Sequence, residues 1–185
     1  MRLLKLLPNI LTSTRLAASP GLAWLLLRGR FRTALVTVLL VSITDWFDGY
    51  AARKIGVAGG IGVILDPLAD KAMLVTLFVT LGYLKIIPRW MLYMAIGRDG
   101  IILVGSILLR VFRDVRRFTP SILGKVSTFF QIMLVLLSLL YASFELGFLH
   151  ELKFTAIALS ALFTGLSGAD YVRRGIEMTR RVRSH

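Results

Sequence analysis

Four aspartates, Asp45, Asp48, Asp66 and Asp70, lie in or beside long apolar stretches, all within 26 residues. A carboxylate in such a setting is costly and usually marks a site. Asp45 and Asp48 are three apart, so on a helix they share one face, with Gly49, Ala52 and Arg53 beside them. Asp66 and Asp70 are four apart, with Gly62 one turn earlier. Four acids at close range cannot all stay ionised without a cation. Oxygen-only ligands select a hard divalent ion, Mg²⁺ or Mn²⁺, and no Cys or His stands nearby to suggest zinc. Such ions suit phosphoryl chemistry, in which they bind pyrophosphate oxygens and orient an in-line attack. Gly49 and Gly62 would let a phosphate or a flat base approach the backbone. Arg53 would pair with a phosphate. Asp66 alone has a purely structural explanation: Asp66-Pro67 reads as a helix N-cap followed by a first-turn proline.

Those acids must be positioned by membrane helices. Hydrophobic residues make up 56% of the 185-residue chain, and mean hydropathy is +0.75. Only long apolar runs absorb such a composition. Six stand out, at 10–27, 33–52, 61–84, 90–111, 122–142 and 154–172. Each approaches the ~20 residues that cross a bilayer core as helix. The expected fold is an all-α membrane protein, a single bundle of six transmembrane helices over residues 1–185. The opening MRLLKLLPN reads either as a short amphipathic surface segment or as a frayed terminus, and in both cases as retained rather than cleaved as a signal peptide. The short connection 54–60 makes the second and third segments antiparallel neighbours, gathering the four aspartates near one surface.

Charge sets the orientation. The chain carries a net +13. In a membrane protein that excess reads as cytoplasmic loops facing anionic lipid, not as nucleic-acid binding. One side holds Arg28, Arg30, Arg32, Lys85, Arg89 and Lys153, and the other 17 of the 23 basic residues fall on the opposite side or in segment ends leading to it. Both termini and the acidic site are therefore expected in the cytoplasm, in the cell (inner) membrane. The Arg28–Arg32 cluster runs against this rule but is outnumbered. The chain has no cysteine, which excludes disulfides and thiolate metal sites.

The pattern Asp45-x-x-Asp48-Gly49-x-x-Ala52-Arg53, eight residues, then Gly62-x-x-x-Asp66-x-x-x-Asp70 resembles the signature of the CDP-alcohol phosphatidyltransferase family at all eight fixed positions. The resemblance implies a six-helix bundle, usually homodimeric, and CDP-diacylglycerol as donor. It implies that Asp45, Asp48 and Asp66 ligate two metal ions, or one. Asp70 would lie beside the metals as general base. Gly49, Ala52, Arg53 and Gly62 would line the nucleotide pocket together with Asp45 and Asp66.

The likeness extends further. Pro8-Asn9-Ile10-Leu11-Thr12 and Asp66-Pro67-Leu68-Ala69-Asp70-Lys71 are similar to the phosphatidylglycerophosphate synthases of that family. Arg98, Lys125 and Arg173 stand where the family has an acceptor pocket, and an acceptor bearing phosphate needs such cations. Glycerol 3-phosphate is the acceptor this implies. A bland alternative for Arg98 is an ion pair with Asp99. One departure matters: Arg98-Asp99 replaces Arg-Glu, and with Ile87-Pro88 and Pro120-Ser121 it looks more like cardiolipin synthases, whose acceptor is phosphatidylglycerol. A reading of a different class, a cation transporter, would explain intramembrane acids but not Gly49, Ala52 and Arg53. Flux in liposomes without nucleotide would reveal it.

Overall fold

The structure is a computed structural model that describes residues 17–54, 62–113 and 121–183, with side chains at 17–44, 71–105 and 121–177. Among these residues there are six helices and no strand. They are α1 (Ala17–Leu27), α2 (Phe31–Lys54), α3 (Gly62–Tyr83), α4 (Arg89–Arg113), α5 (Ile122–Phe144) and α6 (Gly147–Arg183). The expected amphipathic segment at 1–9, the entry segment at 8–12 and the connection at 55–60 lie outside the described residues.

The helix ends have legible local causes. Gly29 takes a left-handed φ of 70°, and after α1 the amides of Gly29 and Arg30 bond back to Leu26 and Leu25. This is the Schellman arrangement, in which glycine is the favoured residue. The same bonds recur after α3, from Lys85 to Gly82 and from Ile86 to Leu81. There the left-handed position is filled by Lys85, at φ 60°. Glu145 ends α5 with φ 53° and one amide bond to Tyr141. Ser121 caps the start of α5: its Oγ accepts from the Gly124 amide at 3.1 Å, the usual N-cap bond to the third helical residue.

Two of the six helices are each long and apolar enough to cross a membrane by length and composition, Ile122–Phe144 and Gly147–Glu177. α6 is 37 residues, which at 1.5 Å per residue is roughly 55 Å and exceeds a ~30 Å hydrocarbon core. The sixth apolar run at 154–172 is thus the middle of a longer helix. Lys153, expected in the connection before it, is instead buried inside α6.

The chain divides into two compact units. The first comprises residues 1–86 and 139–145. Its core holds Leu22 and Leu26 of α1, Ala34 and Val38 of α2, and Leu77, Phe78 and Leu81 of α3, all buried. The second comprises residues 87–138 and 146–185. In it α4 packs on α6. A Cβ at Gly165 would come within 3.2 Å of Met94 Cε, so α6 is small-sided where α4 approaches. Ser127 and Thr164 hydroxyls lie 3.0 Å apart, Gln131 donates to Thr164 at 3.2 Å, and Phe130 stacks on Phe163 at 4.9 Å. These three buried polar groups thus satisfy one another between α5 and α6. Large apolar side chains such as Leu40, Leu103, Phe148 and Phe154 are exposed instead, a surface unfavourable in water.

Candidate active site

In the first unit, α2 remains helical through Asp45, Asp48, Gly49, Ala52 and Arg53, and α3 is helical from Gly62 through Asp66 and Asp70. The 3.6-residue turn then places the α2 positions in one arc and Gly62, Asp66 and Asp70 along one stripe. The side chains of these eight residues lie outside those described. One expectation is corrected. α3 begins at Gly62, so Asp66 is not an N-cap, and Pro67 sits in the second turn rather than the first. Proline lacks an N–H at that position, so the helix loses one backbone bond there. Asp66 therefore loses its capping explanation.

In the second unit, three helices converge on Arg98 of α4, which is only 7% exposed. Its Nε and Nη2 both donate to Ser167 Oγ on α6, at 3.2 Å and 2.7 Å. Nη1 donates to Asp99 Oδ1 at 2.8 Å. The guanidinium also lies 5.8 Å from the centre of the Tyr171 ring, within cation–π range. Tyr171 OH accepts from the Ser121 amide at 3.2 Å, tying α6 to the start of α5. Gly124, on the first turn of α5, leaves room for this junction: a Cβ there would be 3.0 Å from Arg98 Nη2 and 3.3 Å from Tyr171 OH, so those side chains would have to shift.

The ion pair with Asp99 is therefore present, yet it does not exhaust Arg98. Guanidinium carries five donors, and the bonds above leave one N–H on each terminal nitrogen. The other two expected cations are differently placed. Lys125 is exposed on the first turn of α5. Arg173 is exposed on α6 and pairs with Glu177 at 2.8 Å, while its neighbour Arg174 pairs with Asp170 at 3.0 Å. Ser167 and Tyr171 are neutral, so charge in the sequence does not mark them as site residues. The signal was their spacing: residues four apart on one helix share a face and can serve one partner.

The family model for CDP-alcohol phosphatidyltransferase matches residues 5–166. The chain belongs to the CDP-alcohol phosphatidyltransferase family. It is 34% identical over 178 residues to a CDP-diacylglycerol–glycerol-3-phosphate 3-phosphatidyltransferase of Aquifex aeolicus, covering 92% of this chain and 96% of that relative. A protein of the same name from Bacillus subtilis is 32% identical over 145 residues, 77% of this chain and 72% of the relative. A cardiolipin synthase (CMP-forming) of Rattus norvegicus is 33% identical over 150 residues, 72% of this chain but 49% of the relative, so this chain spans about half that protein's length.

Proposed function

We propose that this chain transfers a phosphatidyl group from CDP-diacylglycerol to glycerol 3-phosphate and releases CMP, a step of phospholipid biosynthesis. The observation that carries this is the likeness to the Aquifex protein of that name across nearly the full length of both chains. Six membrane spans, cytoplasmic termini and a homodimer complete the reading. The two long apolar helices and the exposed apolar side chains support a membrane setting, and the family resemblance supports the rest.

The donor set fits Mg²⁺ or Mn²⁺. It is carboxylate-only, and two uninterrupted helices give it the i, i+3 and i, i+4 spacings that keep acids on one face. Asp45, Asp48, Asp66 and Asp70 would hold the ions, two by the family resemblance. When bound, they supply charge neutralisation at the pyrophosphate. The chain's own residues do the rest. Gly49, Ala52, Arg53 and Gly62 line the cytidine side. Asp70 takes the proton from the acceptor hydroxyl. The freed oxygen attacks the lipid-side phosphorus, its bond to the CMP oxygen breaks, and CMP leaves. Arg98, with two N–H groups still available, Lys125 and Arg173 bind the acceptor phosphate.

A second acceptor, phosphatidylglycerol, is favoured by the Arg98–Asp99 pair and by the likeness to the rat cardiolipin synthase. The deciding experiment gives purified protein CDP-diacylglycerol with Mg²⁺ or Mn²⁺ and measures CMP release with glycerol 3-phosphate and, separately, phosphatidylglycerol. Faster release with glycerol 3-phosphate supports the proposal. Release only with phosphatidylglycerol replaces it with cardiolipin synthesis, and release with neither overturns both.

A further inference from the structure

The function above leaves the Arg28–Arg32 cluster unused, and it is the cluster that violates the charge rule for its side of the membrane. In the structure its Arg30 and Arg32 line a pocket of about 380 Å³ in the first unit, with Gly29, Phe31, Thr33 and, on α5, Ala142 and Ser143. That volume is within the ~300–1,000 Å³ range of small-ligand sites.

Three independent features make this cavity electropositive and incomplete. First, it is built on the start of α2, where Ala34 takes the Arg30 carbonyl and the amides of residues 31–33 precede the first helical acceptor. Such amides favour an anion, and the first turn holds no acidic residue to serve as one. Second, the arginines are pre-arranged. Arg32 Nε donates to the Ser143 carbonyl at 3.1 Å, and its guanidinium lies 5.3 Å from the Phe144 ring centre. Arg28 and Arg30 lie 5.6 and 6.0 Å from the Trp24 ring centre. Third, Ser143 is only 8% exposed, yet its hydroxyl has no hydrogen-bond partner although the residue lines the cavity. A buried hydroxyl without a partner is costly and is normally satisfied by a ligand or water.

We propose that this pocket binds a phosphate group, that of an anionic phospholipid headgroup, held by Arg30, Arg32, the α2 amides and the Ser143 hydroxyl. Phe31 and Asp45 are 14 residues apart on α2, about 21 Å along a helix, so the pocket is distinct from the acidic motif. With the motif at the cytoplasmic surface, it faces the other leaflet, and the proposal rests on the membrane reading to that extent. The arginines on that face then have an anionic partner, which removes their conflict with the charge rule.

The test uses Trp24 as reporter. Full-length protein is reconstituted in phosphatidylcholine vesicles containing either brominated phosphatidic acid or brominated phosphatidylcholine. Trp24 emission is the part of the signal that Trp24→Phe removes. Stronger quenching by the anionic lipid is expected. Arg30→Gln should reduce that preference about fivefold, the weight of one arginine near an anionic surface, and Ser143→Ala should also reduce it. CMP release should be unchanged in Arg30→Gln. Inorganic phosphate distinguishes the source: if it relieves the quenching, the pocket takes the phosphate group itself, and if it does not, it takes the lipid. Equal quenching by the two lipids in the wild-type protein overturns the proposal, whatever the variants do. So does a preference retained in both variants. An inactive preparation that still prefers the anionic lipid would sink the enzyme reading and leave this site standing.

Discussion

Arg98 and Ser167 form a two-to-one contact: two nitrogens of the guanidinium converge on a single hydroxyl, at 3.2 and 2.7 Å. This fixes the plane of a buried cation and so aims its remaining N–H groups. Removing the hydroxyl in Ser167→Ala leaves a buried charge short of an acceptor, a loss of about 1.5–3 kcal/mol. The expected result is a lower melting temperature in detergent and a raised KM for the phosphate-bearing acceptor, with the KM for CDP-diacylglycerol little changed. Unchanged acceptor KM would detach Arg98 from the acceptor pocket. Ser167→Thr, which restores a hydroxyl, should recover most of the loss.

Gly124 tests the same junction from the other side. A methyl group there meets Arg98 Nη2 at 3.0 Å and Tyr171 OH at 3.3 Å. Arg98 cannot swing away freely, because Ser167 and Asp99 hold it. Gly124→Ala should therefore destabilise by about 1–3 kcal/mol, the usual range for overpacking. Thermal unfolding in detergent measures this. A neutral result would mean that the guanidinium yields easily, and would weaken the case that it is pre-aimed.

The sequence displayed these elements unevenly. The helices at 122–144 and 89–113 were legible to within about two residues, because apolar runs end where Ser121 caps or Pro88 intervenes. The α6 ends were not, because length in a membrane helix is read from apolarity. The polar turns around Lys153 and after Val172 continue the helix without continuing the signal. At the candidate site, charge made Arg98 visible, whereas the neutral groups that orient it, Ser167 and Tyr171, announce themselves only through contacts. The Asp66-Pro67 pair misled because a proline permitted in the first turn is also accommodated in the second, one bond poorer.

Lys85 offers a stability prediction away from any site. It holds a left-handed conformation at φ 60°, in a Schellman turn of the kind that Gly29 makes after α1. A side chain costs roughly 1–2 kcal/mol in that region, and glycine removes the cost while adding freedom to the unfolded chain. Lys85→Gly should therefore raise stability by a net ~0.5–1 kcal/mol. The check is a melting curve in detergent, with CMP release unaltered.

Asp70 carries the most specific prediction about chemistry. It lies four residues beyond Asp66 on α3, and in the proposed mechanism it would act as the base beside the metals. Asn keeps the size and one oxygen but cannot accept a proton at neutral pH. Asp70→Asn should retain CDP-diacylglycerol binding and lose turnover by at least ~100-fold, the lower range for general-base catalysis. Asp45→Asn should instead weaken donor binding itself, with activity that recovers only at higher Mg²⁺ or Mn²⁺. Chelation of divalent ions should abolish turnover in the wild-type protein, and either ion should restore it. Equilibrium binding of labelled CDP-diacylglycerol beside CMP release separates the two aspartates. If both variants lose binding alike, the proton must leave the acceptor by another route, and Asp70 is a ligand alone.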